Sequence, residues 1–192
     1  MSTVKDAADA LAADIRHLKD RAEIEDCIQR YCRGADRLDR ELLLSAYHPD
    51  ATDDRGEAFT GSPAQFVDWL FPQLRGLNGT AHVVCNTLSE IDGDVAHADS
   101  QIVFQVWRHA KDGEEGFAAL GTARYVDRLE RREGVWAIAH RECLMDITFR
   151  AAVGPPLAGG LYGERDRSDR GYARPLAPTP EAKRRLQDRG PA

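Results

Sequence analysis

Six histidines are the side chains of this sequence best suited to moving a proton near neutral pH: His17, His48, His82, His97, His109 and His140. None stands in a His-x-His or His-Glu-x-x-His spacing, so a metal site is discounted. Cys32 and Cys85 have no base beside them in sequence, so a nucleophilic thiol is not indicated. The glycines sit at turn positions rather than in a phosphate-binding loop. What remains is acid–base chemistry by an imidazole that the fold must steer. His82 opens a segment of alternating character in which Val84, Asn86 and Leu88 share its face, so Asn86 can bind a substrate oxygen. Read alone, His82 is more often a core histidine bonded to its neighbours, and Asn86 a local sheet or turn group.

The elements that must hold these residues come in two blocks. Val4, Ala8, Leu11, Ile15 and Leu18 give a first helix with a narrow apolar stripe, which caps the fold or joins a neighbouring subunit. Ile24, Cys27, Ile28, Tyr31 and Ala35 mark a second helix that belongs to the core and ends or thins near Gly34. Asp36 falls on the flank of that stripe, beside Cys32, where a helix-end or surface carboxylate is the ordinary reading. Tyr31 lies on the buried face and reads first as a packed aromatic. Asp39 can cap a short third helix that His48-Pro49-Asp50 stops, and a turn-rich strand runs on to Phe59. Ser62-Pro63-Ala64-Gln65 has the form of a capping box before a fourth helix.

After Gly79 the period falls from about 3.6 to 2, which marks a change from helices to strands. Strands are predicted over residues 80–91, 95–108, 116–131 and 135–149, joined at Asp92-Gly93-Asp94, Asp112-Gly113 and Glu133-Gly134 into an antiparallel meander. Trp136, Ile138 and His140 then share one face, with the tryptophan in the core. Helices first and sheet afterwards define an α+β domain over residues 1–150. Residues 151–192, rich in glycine, proline and mixed charge, read as an irregular arm lying on this domain or on a neighbour.

Composition excludes several functions. A net charge of −6 without a basic cluster in the patterned region argues against nucleic acid as a partner. The first nineteen residues carry charges too often for a signal peptide or membrane span, so a cytoplasmic protein that does not engage membranes is expected. Four separated cysteines, Cys27, Cys32, Cys85 and Cys143, suit buried thiols better than a disulfide framework.

Five stretches in order carry a resemblance: residues 31–39 (Tyr-Cys-Arg-Gly-Ala-Asp-Arg-Leu-Asp), 47–51 (Tyr-His-Pro-Asp-Ala), 80–82 (Thr-Ala-His), 123–128 (Ala-Arg-Tyr-Val-Asp-Arg) and 134–138 (Gly-Val-Trp-Ala-Ile). Together they resemble the SnoaL-like family of the nuclear-transport-factor-2-like superfamily, over about residues 20 to 149. The pattern is most similar to that family's lyases, such as scytalone dehydratase, hexachlorocyclohexane dehydrochlorinase and bile acid 7α-dehydratase. The resemblance implies a cone-shaped α+β barrel, with helices packed on a curved, mostly antiparallel sheet, and a pocket that uses no cofactor. It implies catalysis by an aspartate–histidine dyad, here Asp36 and His82, with Tyr31 matching a family tyrosine. It places Tyr125 at a pocket-lining position, where packing is an equal reading, and Gln105 near the position of a second pocket histidine. Met145 stands near a position where one of these lyases has an arginine. A homo-oligomer, a trimer in particular, is implied as well.

In the implied chemistry His82 removes a proton beside an activating group, and a leaving group departs from the next carbon, protonated by the returning His82 or by Tyr31. The expected function is a cofactor-independent lyase on a small, apolar, aromatic or steroid-like substrate, by dehydration or by carbon–carbon cleavage with loss of a small aldehyde. Two other readings stay open: an isomerase or polyketide cyclase of the same fold, and a non-catalytic ligand-binding or assembly module.

Overall fold

Thr3 begins the first helix with a reciprocal cap, its hydroxyl accepting from the Asp6 backbone while the Asp6 carboxylate accepts from the Thr3 N–H. In the computed structural model, which describes residues 3–159 and 161–188, that helix, α1, runs unbroken from Val4 to Asp36. The two helices expected here are one, because residues 19–23 contain neither glycine nor proline to interrupt it. Residues 3–19 are exposed, so this half caps nothing in its own chain. Burial starts at Asp20, whose carboxylate accepts from Trp136 Nε1 (3.0 Å) and Arg131 Nη1 (2.6 Å). From there Ile24, Cys27, Ile28 and Tyr31 turn into the core.

Helix α2 (Arg40–Leu44) is capped by Asp39, whose Oδ1 accepts from Leu42 N–H at 3.1 Å. It packs against the end of α1 so closely that a Cβ on Gly34 would lie 2.5 Å from the Leu43 nitrogen. Gly34 therefore lets two helices touch rather than ending one. Strand β1 (Tyr47–Asp54) and the short β2 (Thr60–Gly61) lead to α3 (Pro63–Arg75), which starts with the expected Ser62–Gln65 box.

Four long strands follow: β3 (Gly79–Asp92), β4 (Val95–Arg108), β5 (Gly116–Arg132) and β6 (Val135–Val153). They form an antiparallel meander, with β6 running beyond its expected end. The β5–β6 turn holds Glu133 at φ 53° and Gly134 at φ 80°, the paired left-handed conformation that a two-residue hairpin requires. Strand β1 adds parallel to β6, giving the order β2-β1-β6-β5-β4-β3. The result is an α+β cone: a curved, mostly antiparallel sheet that does not close, with helices on its inner face and β3 as a free edge. Ala96 and Ala98 on the inner face of β4 are buried in the shared core, where their small size keeps sheet and helices close.

Three bulges interrupt the meander; one gives β6 an extra residue between the pairs Ala123–Met145 and Thr122–Ile147, and the other two change which candidate residues face inward. Between Val84 and Thr87 the β3–β4 register gains one residue on β3. Between the pairs Leu129–Ile138 and Arg128–His140 it gains one on β6. In the segment expected to be an irregular arm, the chain forms a 3-10 turn (Arg170–Tyr172) and a helix, α4 (Pro180–Asp188), and folds back on the end of α1.

Candidate active site

Asp36 is the last residue of α1, and His82 lies three residues into β3. The fold closes a separation of forty-six positions. Asp36 Oδ1 is 2.7 Å from His82 Nδ1, and Oδ2 accepts from the His82 backbone N–H at 2.9 Å. The Thr80 hydroxyl donates to Oδ1 at 3.0 Å. A carboxylate that accepts three bonds at the negative end of a helix is fixed in position although the helix dipole opposes it. Because carboxylate oxygens only accept, His82 Nδ1 must carry its proton toward Asp36, which leaves Nε2 as the basic nitrogen. Both side chains are mostly buried, His82 being 17% and Asp36 13% exposed.

The pair faces a cleft of about 370 Å³ where α1 crosses the free edge of the sheet. Gln29, Cys32, Arg33 and Arg37 line it from the helix side and Val84 from β3. Burial pushes the Cys32 thiol up to about 12, so it lies in the wall as an inert group. Arg33 and Arg37 give the rim positive charge. Among the described residues no group of three His, Cys, Asp or Glu side chains is arranged to hold a metal ion.

The other expected site residues lie elsewhere. Tyr31 points into the interior, where its hydroxyl accepts from Arg55 Nη2 at 2.6 Å; burial holds its phenol far above the ordinary range. Tyr125 is also interior, edge-on to Tyr31 with ring centroids 5.4 Å apart. Asn86 falls in the β3 bulge and is exposed, because after Val84 it is Thr87, bonded to the buried Ser100, that resumes the inner face. Gln105 pairs with Ala81 on the outer face, while its neighbour Phe104 pairs with His82. The structure thus brings Asp36 and His82 together and separates the other four from them.

Residues that the sequence reading did not single out fill the interior. Arg141 donates from Nε and Nη2 to the two oxygens of Asp127, both at 2.7 Å, and neither side chain is exposed at all. Its guanidinium lies 4.2 Å from the centre of the Tyr31 ring and 4.1 Å from that of Tyr125. A second set ties Asp53 to Arg55 Nε (2.8 Å) and to the Tyr47 hydroxyl (2.5 Å). The β6 bulge explains the omission: it turns Arg141 inward and leaves His140 outside, bonded to Thr52 at 2.5 Å. Trp136, before the bulge, is core as expected, and Ile138 is buried with it.

A curved open sheet wrapped on a long helix, with an aspartate–histidine pair at the mouth, places the protein in the nuclear-transport-factor-2-like class of α+β cones. A family model described as a SnoaL-like domain matches residues 16–142, and the chain belongs to that family. Solved structures agree on the fold. A type 2 hexachlorocyclohexane dehydrochlorinase (LinA) superposes with a TM-score of 0.65 at 22% identity, covering 77% of this chain and 99% of that one. A candidate scytalone dehydratase from Novosphingobium aromaticivorans gives 0.61 at 18% identity, over 76% and 97% of the two chains. The Kfla4162 protein from Kribbella flavida gives 0.61 at 20%, over 69% and 95%. At these identities the likeness is one of fold. Among curated proteins no sequence relative matches.

Proposed function

We propose that this protein is a cofactor-independent lyase in which His82 is the general base and Asp36 its orienting carboxylate. The observation that supports this most directly is the 2.7 Å contact between Asp36 Oδ1 and His82 Nδ1 beside a cleft. His82 Nε2 takes a proton from a carbon next to an activating group. The electron pair left behind forms the new double bond as the leaving group departs from the adjacent carbon, and His82 returns the proton to that group. With Tyr31 committed to Arg55 inside the cone, His82 serves in both directions. Placed acid–base catalysis of this kind is typically worth roughly 10²–10⁴-fold. Asp36 stabilises the imidazolium formed midway.

The cleft suits a small molecule with an apolar portion against Val84 and oxygen substituents toward Gln29, Arg33 and Arg37. Dehydration is the first reaction of this reading, and loss of a small aldehyde by carbon–carbon cleavage uses the same base. The reading includes a homo-oligomer, a trimer by resemblance, joined through the outer face of the sheet. Val83 on β3, Leu120 on β5, and Ile147 and Phe149 on β6 are exposed on that face, giving it apolar character.

The test is incubation with a panel of hydroxylated aromatic and terpenoid compounds, read by mass for loss of water or formaldehyde. His82→Ala should abolish turnover and leave the thermal transition nearly unchanged. Full activity in that variant refutes the base assignment, and a product of unchanged mass makes the protein an isomerase instead.

A further inference from the structure

The segment after β6 sets one guanidinium directly behind the Asp36–His82 pair. Arg165 donates from Nε to the Asp36 carbonyl at 3.2 Å and from Nη1 to the carbonyls of Leu74 (2.5 Å) and Leu77 (3.2 Å). Asp36 ends α1, and Leu74 lies in the last turn of α3 with Leu77 just beyond it, so a single cation meets carbonyls at the C-terminal ends of two helices. The remaining nitrogen, Nη2, donates to Thr80 Oγ1 at 3.3 Å. A hydroxyl has one proton to give. With Arg165 donating into the Thr80 oxygen, that proton goes to Asp36 Oδ1, 3.0 Å away, on the same oxygen that receives His82 Nδ1. The relay runs Arg165, Thr80, Asp36, His82.

Arg165 arrives there because the segment is anchored on both sides of it. The Tyr172 hydroxyl donates to Asp39 Oδ2 at 2.7 Å, and Arg167 Nε lies 2.9 Å from the same carboxylate, which also caps α2. Asp169, almost wholly buried, accepts from the backbone of Gly171 (2.8 Å) and Glu164 (2.9 Å) and faces Arg37 at 3.4 Å. Arg33 donates to the Gly171 carbonyl at 3.0 Å beneath the Tyr172 ring. The two arginines that line the cleft are thus held by the same segment. All of it lies beyond residue 142, where the family match ends.

We propose that Arg165 is a positioning residue for the Asp36–His82 pair, so that the pair is correctly set only while the C-terminal segment is docked. The inference rests on the proposed role of that pair and adds a requirement the family domain alone does not contain. Arg165 touches neither His82 nor the cleft; it acts through Thr80 and the end of α1.

The state of the His82 ring tests this without any substrate. In full-length protein labelled with 15N-histidine, observed at a pH where the ring is neutral and assigned with His82→Gln, wild-type His82 should show a single tautomer protonated at Nδ1. Arg165→Gln should lose that single state and populate the Nε2-protonated form, Arg165→Lys should restore it, and Thr80→Val, of nearly the same shape, should reproduce the loss. If Arg165→Gln lowers the melting temperature but keeps the wild-type His82 signals, the residue is structural only and the proposal is overturned. Should that variant not fold, Thr80→Val decides, and wild-type signals there overturn it equally. A wild-type ring that is already a mixture refutes the dyad itself, and with it this inference, whereas a locked wild type with unresponsive variants refutes Arg165 alone.

Discussion

Replacing Arg141 by methionine takes from the Asp127 carboxylate its hydrogen-bonded counter-charge, in a site where neither partner of the pair touches solvent, and leaves Arg55 to act on it without a hydrogen bond. Burial already pushes the Asp127 carboxyl above its ordinary range, and the arginine works against that push. Once Arg141 is gone, burial drives the carboxyl toward its protonated form. A carboxyl with an unfolded-state pKa of about 3.9 costs about 1.4 kcal/mol per pH unit to protonate, hence about 4 kcal/mol at pH 7. The sign follows from linkage: a group whose folded pKa is raised contributes fully below its unfolded pKa and loses that contribution as pH rises. Arg141→Met should therefore be destabilised by up to about 4 kcal/mol at pH 7 and by up to about 3 kcal/mol less at pH 5, each relative to wild type at the same pH. Asp127→Asn makes a contrast. Guanidinium cannot release its proton, so its cost, roughly 3–5 kcal/mol, should not grow between pH 5 and pH 8. The double variant Arg141→Met with Asp127→Leu removes both charges and should recover most of the loss. Urea unfolding followed by tryptophan fluorescence measures all three, since Trp136 is buried in the core. An Arg141→Met deficit that does not change with pH would show that Asp127 finds water or the charge of Arg55, and would remove the view of a dry interior in which Arg141 keeps the carboxylate ionised.

Two further outcomes can be checked on purified protein. Gly34→Ala should cost about 1–3 kcal/mol in thermal or urea unfolding, because its Cβ would meet the Leu43 backbone at 2.5 Å and α2 must move; an unchanged transition means the contact is looser than described. Ile147→Lys, on the apolar outer face of the sheet, should lower the mass seen by sedimentation equilibrium to that of one chain while leaving the fold intact; a wild-type mass in that variant places the subunit contact elsewhere.

The architecture was readable because it rests on local signals. Ser62–Gln65 capped α3 where its residue types said it would, and each Gly-containing turn of the meander fell between the expected strands. What the sequence misplaced came from features without a local signal. Residues 19–23 look like a junction between two stripes, yet Lys19, Arg21, Ala22 and Glu23 are good helix formers, and propensity joined the helices. The parallel addition of β1 to β6 is a contact between Tyr47 and Ile138, ninety-one positions apart, which no periodicity reports. The bulges after Val84 and before His140 were the costliest omission. A period of two predicts faces only while the register is unbroken, so one extra residue after Val84 sent Asn86 outward, and one before His140 exchanged that histidine for Arg141.

The site shows the same division more sharply. His82 stands before the bulge of its strand, so alternation from Thr80 through Val84 holds where the chemistry needs it. Asp36 could not be assigned from helix geometry, because its direction is set by partners contributed later in the chain: the His82 backbone N–H and the Thr80 hydroxyl, both on β3. Once the edge strand docks, those donors leave the carboxylate one orientation, and that orientation fixes the histidine tautomer. Arg165 extends the argument to a segment whose glycines, prolines and mixed charges predict no core of its own. Such a segment can still order when its charged groups meet fixed partners, as Tyr172 and Arg167 do at Asp39 and Arg165 does at the carbonyls of Asp36, Leu74 and Leu77. Composition measures what a segment can bury by itself; docking depends on the donors and acceptors that the finished cone presents to it.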